Sequence, residues 1–170
     1  EYPNYFNKTV DDGEELFLPE SNDVDSVAVI SVQQQALAVK EQHLTFMENQ
    51  RGVCYEDLFG PYLRGAIHIT VTDPYIRLYY QARNVMELLE SIVKGKSEAD
   101  EVVVNLITVE DEFKGEDQRR FFEQIQSSMF TVGIKFAWSF DKTGSQHARH
   151  IVTDTGWKIS LDRGLDIYQP

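Results

Sequence analysis

The chain has 170 residues, 42% of them hydrophobic, which suits one folded domain with its own core and excludes wholesale disorder. Its formal net charge of -12 disfavours nucleic acid and anionic membranes as default partners, because the overall field repels both. A single cysteine, Cys54, excludes an internal disulfide and favours a reducing compartment. No stretch is apolar enough to span a membrane, so we expect a cytoplasmic protein, with peripheral attachment to membranes as an alternative.

The N-terminal third predicts an arm rather than a compact unit. Residues 1–25 mix acidic, Pro, Asn and Gly positions with short apolar pieces, as in a linker. Residues 26–32 alternate like a strand, and residues 33–51 repeat apolar residues at helical spacing before a glycine. Because the first residue is Glu rather than Met, we expect an excised segment of a larger protein, in which residues 1–50 link a domain at 51–170 to the rest.

The remaining residues alternate between strand and helix patterns. Short β-branched or alternating runs predict strands, and apolar residues three and four apart predict helices. The order predicts an α/β fold with a mainly parallel, mixed sheet flanked by helices. We expect strands at 67–71, 101–109 (buried on both faces) and 134–140, helices at 82–95 and 117–133, and a hairpin at 147–164 that turns at Thr155-Gly156.

Polar residues follow several of these strands, where functional groups gather in α/β sheets. Asp73, Thr108 to Asp111, and Asp141 all occupy such positions. A metal held by Asp73, Glu110 and Asp111 has no supporting ligand spacing. We therefore expect no metal and no cofactor.

The stretch HARHIVTD places His147, Arg149 and Asp154 at a spacing that suits phosphodiester chemistry. A neutral imidazole can attack phosphorus, a cation can neutralise phosphate oxygens, and a carboxylate can orient the imidazole. On a strand, His147 and Arg149 would share one face. These three are the catalytic candidates, and the alternative is a set of surface or ion-pairing residues with Asp154 in a hairpin turn.

Two further cations lie in the stretch GWKISLDRGLD. Lys158 and Arg163 can extend an anion site, or they can pair with the neighbouring Asp162 and Asp166. We predict an anion-binding pocket made of His147, Arg149, Lys158 and Arg163.

Arg77, Tyr79 and Tyr80 combine a cation with aromatic rings, a mixture typical of subunit interfaces. Phosphate binding or base stacking is the alternative. We expect an interface here and find no strong nucleic-acid signal. His68, on an apolar strand, is expected to be a hydrogen-bonded core residue.

Three stretches together resemble a known family: LFGPYLRGAIHITVTDPYIR, VNLITVED and HARHIVTDTGWKISLDRGLDIYQ. They are similar to the phospholipase-D-like domain found C-terminal to MIT (microtubule-interacting-and-trafficking) domains, a family with bacterial members. The resemblance covers about residues 51–170 and implies a phospholipase-D-like α/β fold. Residues 1–50 show no MIT domain, so a link to ESCRT-III filaments does not carry over.

The wider phospholipase D superfamily carries the motif HxKxxxxD, and His147, Arg149 and Asp154 fall on its positions, with Arg in place of Lys. Active members bring two such motifs together, whereas this chain has one full copy. A full active site would therefore need a second chain. The MIT-associated family is regarded as non-catalytic, and the resemblance to it implies a dimeric module that binds acidic phospholipid headgroups.

We expect a binding or assembly module, forming a homodimer, that holds a phosphate, a phospholipid headgroup or a protein partner. One alternative is a phosphodiesterase, either nuclease or phospholipase, with a composite dimeric site. His147 of one chain would then be the nucleophile and the same histidine of a second chain the general acid. Another alternative is an accessory domain of a larger ATPase-containing protein.

Overall fold

The computed structural model describes residues 3–8, 39–47, 50, 52–143 and 147–167, the first range by its backbone alone. Within these residues the chain forms seven strands and three helices. In chain order they are β1 (Pro3–Lys8), β2 (Gln42–Thr45), α1 (Tyr55–Leu63), β3 (His68–Thr72), α2 (Tyr79–Gly95), β4 (Val102–Thr108), α3 (Gly115–Phe130), β5 (Ile134–Phe140), β6 (His150–Thr153) and β7 (Trp157–Ser160).

The strands form one sheet in the order β2-β1-β7-β6-β3-β4-β5. β3, β4 and β5 run parallel, and every other pairing is antiparallel. The chain order β3-α2-β4-α3-β5, followed by the β6-β7 hairpin, is the predicted one. The α/β class and the mixed sheet are therefore confirmed. The described strands form two parallel and four antiparallel pairings, so the sheet is not mainly parallel as predicted, because β1, β2 and the β6-β7 hairpin add antiparallel strands.

One face of the sheet carries the hydrophobic core. Alternate residues of a strand share a face, and the register aligns the buried side chains of Val71, Leu106 and Ile151 on neighbouring strands. Helix α3 packs on this face through Phe122, whose ring centroid lies 6.3 Å from that of Phe136. Burial of each such side chain contributes about 2 kcal/mol to the free energy of unfolding.

Helix α1 forms at residues 55–63, which the sequence patterns leave unassigned. Gly60 and Pro61 obscure its helical pattern, because both residues disfavour helix interiors. Tyr62 packs edge-on against the ring of Trp157, with the ring centroids 5.0 Å apart. The signal was nevertheless present, since the buried residues follow helical spacing: Tyr55, Leu58, Phe59, Tyr62 and Leu63.

The helix predicted at residues 33–51 is wrong for the part that the structure describes. Residues 39–47 contain strand β2, which pairs antiparallel with β1, Gln42 lying opposite Phe6. Pairing with a neighbouring strand outweighs a helical spacing of apolar residues, because context dominates strand formation. The strand predicted at 26–32 lies outside the described residues. β1 and β2, both from the expected arm, extend the sheet of the following domain.

The second face of the sheet is only partly buried. In β4, Val104 and Leu106 are buried, whereas Asn105 between them is exposed and Val103 is half-buried. The expectation that this strand is buried on both faces is wrong, because β-branched residues also suit a half-exposed pleated surface. His68 is exposed rather than part of the core, and its Nδ1 lies 3.5 Å from the carboxylate of the exposed Asp154.

We expect Phe122→Ala to lower the free energy of unfolding by about 3–5 kcal/mol, because it leaves a cavity between α3 and the sheet. Urea unfolding followed by circular dichroism measures this difference. Phe130→Ala, on the same helix but 69% exposed, is the matched control and should change stability by less than about 0.5 kcal/mol. Equal losses in the two variants would contradict this account of the core.

Candidate functional site

The three parallel strands end at one edge of the sheet, here called the carboxyl edge, and polar residues follow them directly. Asp73 follows β3, and its backbone N–H donates to the carbonyl of Ile107 over 3.0 Å. Asp141 follows β5, and its N–H donates to the carbonyl of Thr108 over 2.7 Å. The residues that follow separate strands therefore lie together at this edge, where ligands bind in α/β sheets.

Arg149 lies opposite Asp73 at the carboxyl edge. Thr72 pairs with His150, and the next residues outward along these two strands are Asp73 and Arg149. The Arg149 carbonyl accepts a hydrogen bond from the N–H of Leu161 over 2.9 Å, which ties it to the end of β7. One guanidinium N–H of Arg149 donates to the carbonyl of Asp162. Arg149 therefore joins the beginning of β6 to the segment that follows β7.

Asp73 is a buried carboxylate, only 3% exposed. Its Oδ1 accepts from the N–H of Tyr75 and its Oδ2 from the N–H of Leu165, both over 3.0 Å. Burial raises the pKa of Asp73 above its ordinary value, although these two hydrogen bonds and the Arg149 cation oppose the rise, and the nearby Asp166 reinforces it. The carboxylate is held by three separate segments of the chain.

Gly164 makes this arrangement possible. Its φ of 65° is in the left-handed region that favours glycine. A Cβ at this position would overlap Asp73 Oδ2, and it would lie 2.8 Å from Asp73 Cγ and 3.1 Å from Arg149 Cδ. The glycine is therefore needed both for its backbone conformation and for the close approach of its neighbours.

Tyr75 brings a second arginine to the same edge. The Cζ of Arg149 lies 4.3 Å from the Tyr75 ring centroid and that of Arg77 lies 5.8 Å from it, distances suited to cation–π attraction. The Nε of each arginine is buried and has no hydrogen-bond partner among the described residues. A buried donor without an acceptor is costly, so these two N–H groups are suited to an incoming acceptor.

The predicted catalytic residues are not brought together. His147 is exposed and, like Arg149, precedes β6, which begins at His150, so these two residues are not on a strand as predicted. Asp154 follows β6 at the opposite edge of the sheet. Five residues of extended chain separate it from Arg149, a distance of about 16 Å. Its carboxylate accepts from the N–H of Ile67 over 3.1 and 3.3 Å. Asp154 is thus too far away to orient the His147 imidazole.

The predicted anion pocket is likewise divided between two faces. Lys158 alternates along β7 with the buried Trp157 and Ile159, so it lies on the second face, away from the core side that Arg149 shares. There, burial and the Lys158 cation hold the pKa of His150 below its usual value. Arg163 is exposed and directly precedes Gly164. Of the predicted cations, Arg149 acts on the Asp73 carboxylate, whereas Arg163 is only the chain neighbour of Gly164 and Lys158 lies on the other face.

The expected interface residues are exposed at the beginning of α2. Tyr79 is 66% and Tyr80 41% exposed, and Tyr79 contacts the ring of Phe121, with centroids 5.3 Å apart. Phe113, in the loop after β4, is 93% exposed. Arg77, the third residue that the sequence assigned to the interface, lies beside Tyr75. None of the described helices is long and apolar enough to cross a membrane.

Glu110 and Asp111, which follow β4 and could in principle ligate a metal, form other contacts. Glu110 pairs with Arg119 over 2.6 Å. Hydrogen bonds from the N–H groups of Phe113 and Lys114 hold the pKa of Asp111 below its usual range. Within the part of the chain that the structure describes, no group of three or more metal-ligating side chains comes together.

Sequence reasoning missed Tyr75 and the buried polar residues Gln81 and Asn84 of α2. A signal for Tyr75 was available, because it follows Asp73-Pro74 at the end of a predicted strand. Gln81 and Asn84 gave no signal, since polar residues of a helix are ordinarily expected on its exposed face.

A mixed sheet with this order and a histidine–arginine segment entering β6 defines an α/β domain of the phospholipase-D-like class. The family described as "Phospholipase D-like domain at C-terminus of MIT" matches residues 52–170, and the chain belongs to this family. MIT domain-containing protein 1 of mouse is 31% identical over 124 residues, covering 72% of this chain and 48% of the relative. The chain thus matches about half the length of that protein.

We expect Asp73→Asn to remove a pH dependence of stability. Because burial raises the folded pKa above 3.8, the folded state holds this proton more tightly than the unfolded state. The resulting stabilisation is complete below the unfolded pKa and is lost as pH rises through the folded pKa. The free energy of unfolding of wild type should therefore fall relative to that of Asp73→Asn over this window.

Urea unfolding of both proteins from about pH 3.5 to about pH 7.5 measures this difference. Glu98→Gln, at an exposed carboxylate near the opposite edge, is the control and should run parallel to wild type. If Asp73→Asn also runs parallel to wild type, the raised pKa is not present in solution.

We expect Gly164→Ala to lower the free energy of unfolding by about 2 kcal/mol or more, because it combines backbone strain with displacement of Asp73. Thermal and urea unfolding measure the loss. Gly95→Ala is the matched control, since a Cβ there meets no heavy atom within 4 Å, and it should change stability by less than about 1 kcal/mol. Wild-type stability in Gly164→Ala would show that the Asp73 contact is not tight.

Proposed function

We propose that this domain is a non-catalytic binding module that holds a phosphate or a phospholipid headgroup at the carboxyl edge. Arg149 and Arg77 are the binding cations, with His147 beside them. The observation that carries the proposal is the pair of buried Nε atoms, without a partner in the described residues, on two arginines that share the Tyr75 ring. Phosphate oxygens suit this site because a guanidinium donates several hydrogen bonds in one plane.

A catalytic role for His147 has less support. A histidine nucleophile or general base is normally oriented by a neighbouring group, and Asp154 lies at the far end of β6 with its carboxylate on the Ile67 N–H. The chain carries one copy of the motif, where two copies cooperate in phosphodiester cleavage. The proposal therefore assigns His147 to binding.

The surroundings of the arginines favour a headgroup presented by a surface. Leu78 and Phe113 are exposed on the segments that follow β3 and β4. Exposed apolar side chains such as these suit the interfacial zone of a bilayer. Because the net charge of -12 opposes general attraction to anionic lipid, such binding must rest on the local arginines.

We also propose a homodimer whose interface includes Tyr79 and Tyr80. Both rings are exposed on one turn of α2, and Tyr is enriched in interface cores. The name of the mouse relative, MIT domain-containing protein 1, supports the further proposal that the domain works as part of a longer protein.

We expect Arg149→Ala to weaken binding of inorganic phosphate about tenfold or more, since a hydrogen bond to a charged group is worth roughly 1.5–3 kcal/mol. Isothermal titration calorimetry on folded, matched samples measures the affinity. Lys158→Ala removes the same charge from the opposite face and should stay within about twofold of wild type, because exposed charges are screened over this distance. Equal weakening in both variants would show that phosphate affinity depends on net charge alone and not on Arg149.

Two further experiments distinguish a membrane headgroup from a free phosphate and test the enzymatic alternative. Vesicles with a phosphoinositide, compared with the matching soluble inositol phosphate, show whether a membrane surface adds affinity to the headgroup alone. Hydrolysis of bis-p-nitrophenyl phosphate that disappears in His147→Ala would contradict the non-catalytic assignment.

A further inference from the structure

The segment Asp162-Arg163-Gly164-Leu165-Asp166, here called the RGLD segment, contacts both elements that carry the arginines. We propose that it positions Arg77 and Arg149 relative to each other, with Gly164 and Asp166 as positioning residues that do not themselves touch the ligand. This inference rests on the proposed function, since it concerns the same two arginines.

One arm of the RGLD segment reaches Arg149. The carbonyl of Asp162 accepts from the Arg149 guanidinium, and the N–H of Leu165 donates to Asp73, which lies opposite Arg149. Gly164 between them allows the approach, because a Cβ would meet both Asp73 and Arg149. The direction of the Arg149 side chain therefore depends on the backbone of this segment.

The other arm reaches Arg77 through a single side chain. The Asp166 carboxylate accepts from Gln81 Nε2 over 2.9 Å and from Asn84 Nδ2 over 3.0 Å. Gln81 Oε1 in turn accepts from the N–H of Arg77 and the N–H of Leu78, each over 2.9 Å. Gln81 is buried and bonded at both ends of its amide, so it transmits the position of Asp166 to the backbone of Arg77.

The RGLD segment is itself fixed to the core. Leu165 is fully buried, and its carbonyl accepts from the hydroxyl of Tyr55 in α1. A segment anchored in this way can hold two arginines at a set separation. Recognition of a phosphate by two guanidiniums needs such a separation, because a small misplacement breaks one set of hydrogen bonds.

The test uses the full chain and the Nε–Hε signals of Arg77 and Arg149 in ¹⁵N-correlated NMR spectra, assigned with Arg77→Lys and Arg149→Lys. Gln81→Met removes the relay without changing charge, and Asp166→Asn places an amide against two amide donors. Both should shift the Arg77 signal, whereas Gly164→Ala should shift the Arg149 signal. Glu98→Gln removes one negative charge, as Asp166→Asn does, and should shift neither arginine signal.

Titration with inorganic phosphate, well below each unfolding midpoint, supplies the second readout. Each of the three variants should bind phosphate about fivefold more weakly than wild type, the size of one hydrogen bond. A purely structural role would lower the unfolding midpoint and leave the affinity of the folded protein unchanged, and that outcome would overturn the inference.

Phosphate binding and the positioning of the arginines are tested by separate signals. If wild type shows no phosphate-dependent shift of either arginine signal, the proposed function fails, and the ligand-free spectra still decide the positioning role. If Gln81→Met and Asp166→Asn leave the Arg77 signal at its wild-type position, the relay does not exist, whatever the wild type binds.

Discussion

The carboxyl edge depends on one constraint, the burial of the Asp73 carboxyl group beside Arg149. A carboxylate removed from water is costly unless hydrogen bonds and an opposite charge replace its hydration. Tyr75 and Leu165 supply hydrogen bonds and Arg149 supplies a charge, which offset part of this cost, although burial still raises the pKa of Asp73. These three residues belong to separate segments of the chain. Those segments must therefore meet at this point for the carboxylate to be buried, and the site is formed where they meet.

Arginine at position 149 suits both structure and binding in a way that lysine would not. Its guanidinium donates to the carbonyl of Asp162, stacks on Tyr75, and still has a buried Nε without a partner in the described chain. A lysine ammonium has no planar surface to stack and no rigid fork of donors. Arginine in place of the lysine of the superfamily motif thus accords with a residue that holds the fold together and keeps a donor for the anion that we propose.

The sheet includes two strands that lie outside the region matched by the family. β1 and β2 precede residue 52, where the family match begins, and β1 pairs with β7. An unpaired strand edge is a template for unwanted association, and pairing removes it. The N-terminal strands therefore cover the edge of β7 and make β2 the edge strand on this side of the described sheet. The RGLD segment begins just after the same strand β7.

Most of the helices and strands could be predicted from local signals in the sequence. Periodicity predicted β3, β4, β5, α2 and α3, and the turn at Thr155-Gly156 predicted the hairpin of β6 and β7. The family resemblance and the gathering of polar residues after the parallel strands also followed from sequence alone. These predictions held because spacing over a few residues decides which face of a helix or strand is apolar.

The tertiary structure decided the pairings between distant residues. β2 replaced a predicted helix because β1 supplies a pairing partner, and Arg77 joined Arg149 because both reach the Tyr75 ring. His147 and Asp154 lie at opposite ends of β6, because an extended strand separates residues that are close in sequence. The spacing of the motif does not specify whether its residues meet in the folded structure. Such contacts depend on hydrogen bonding and burial across the whole fold, which no local pattern of residues contains.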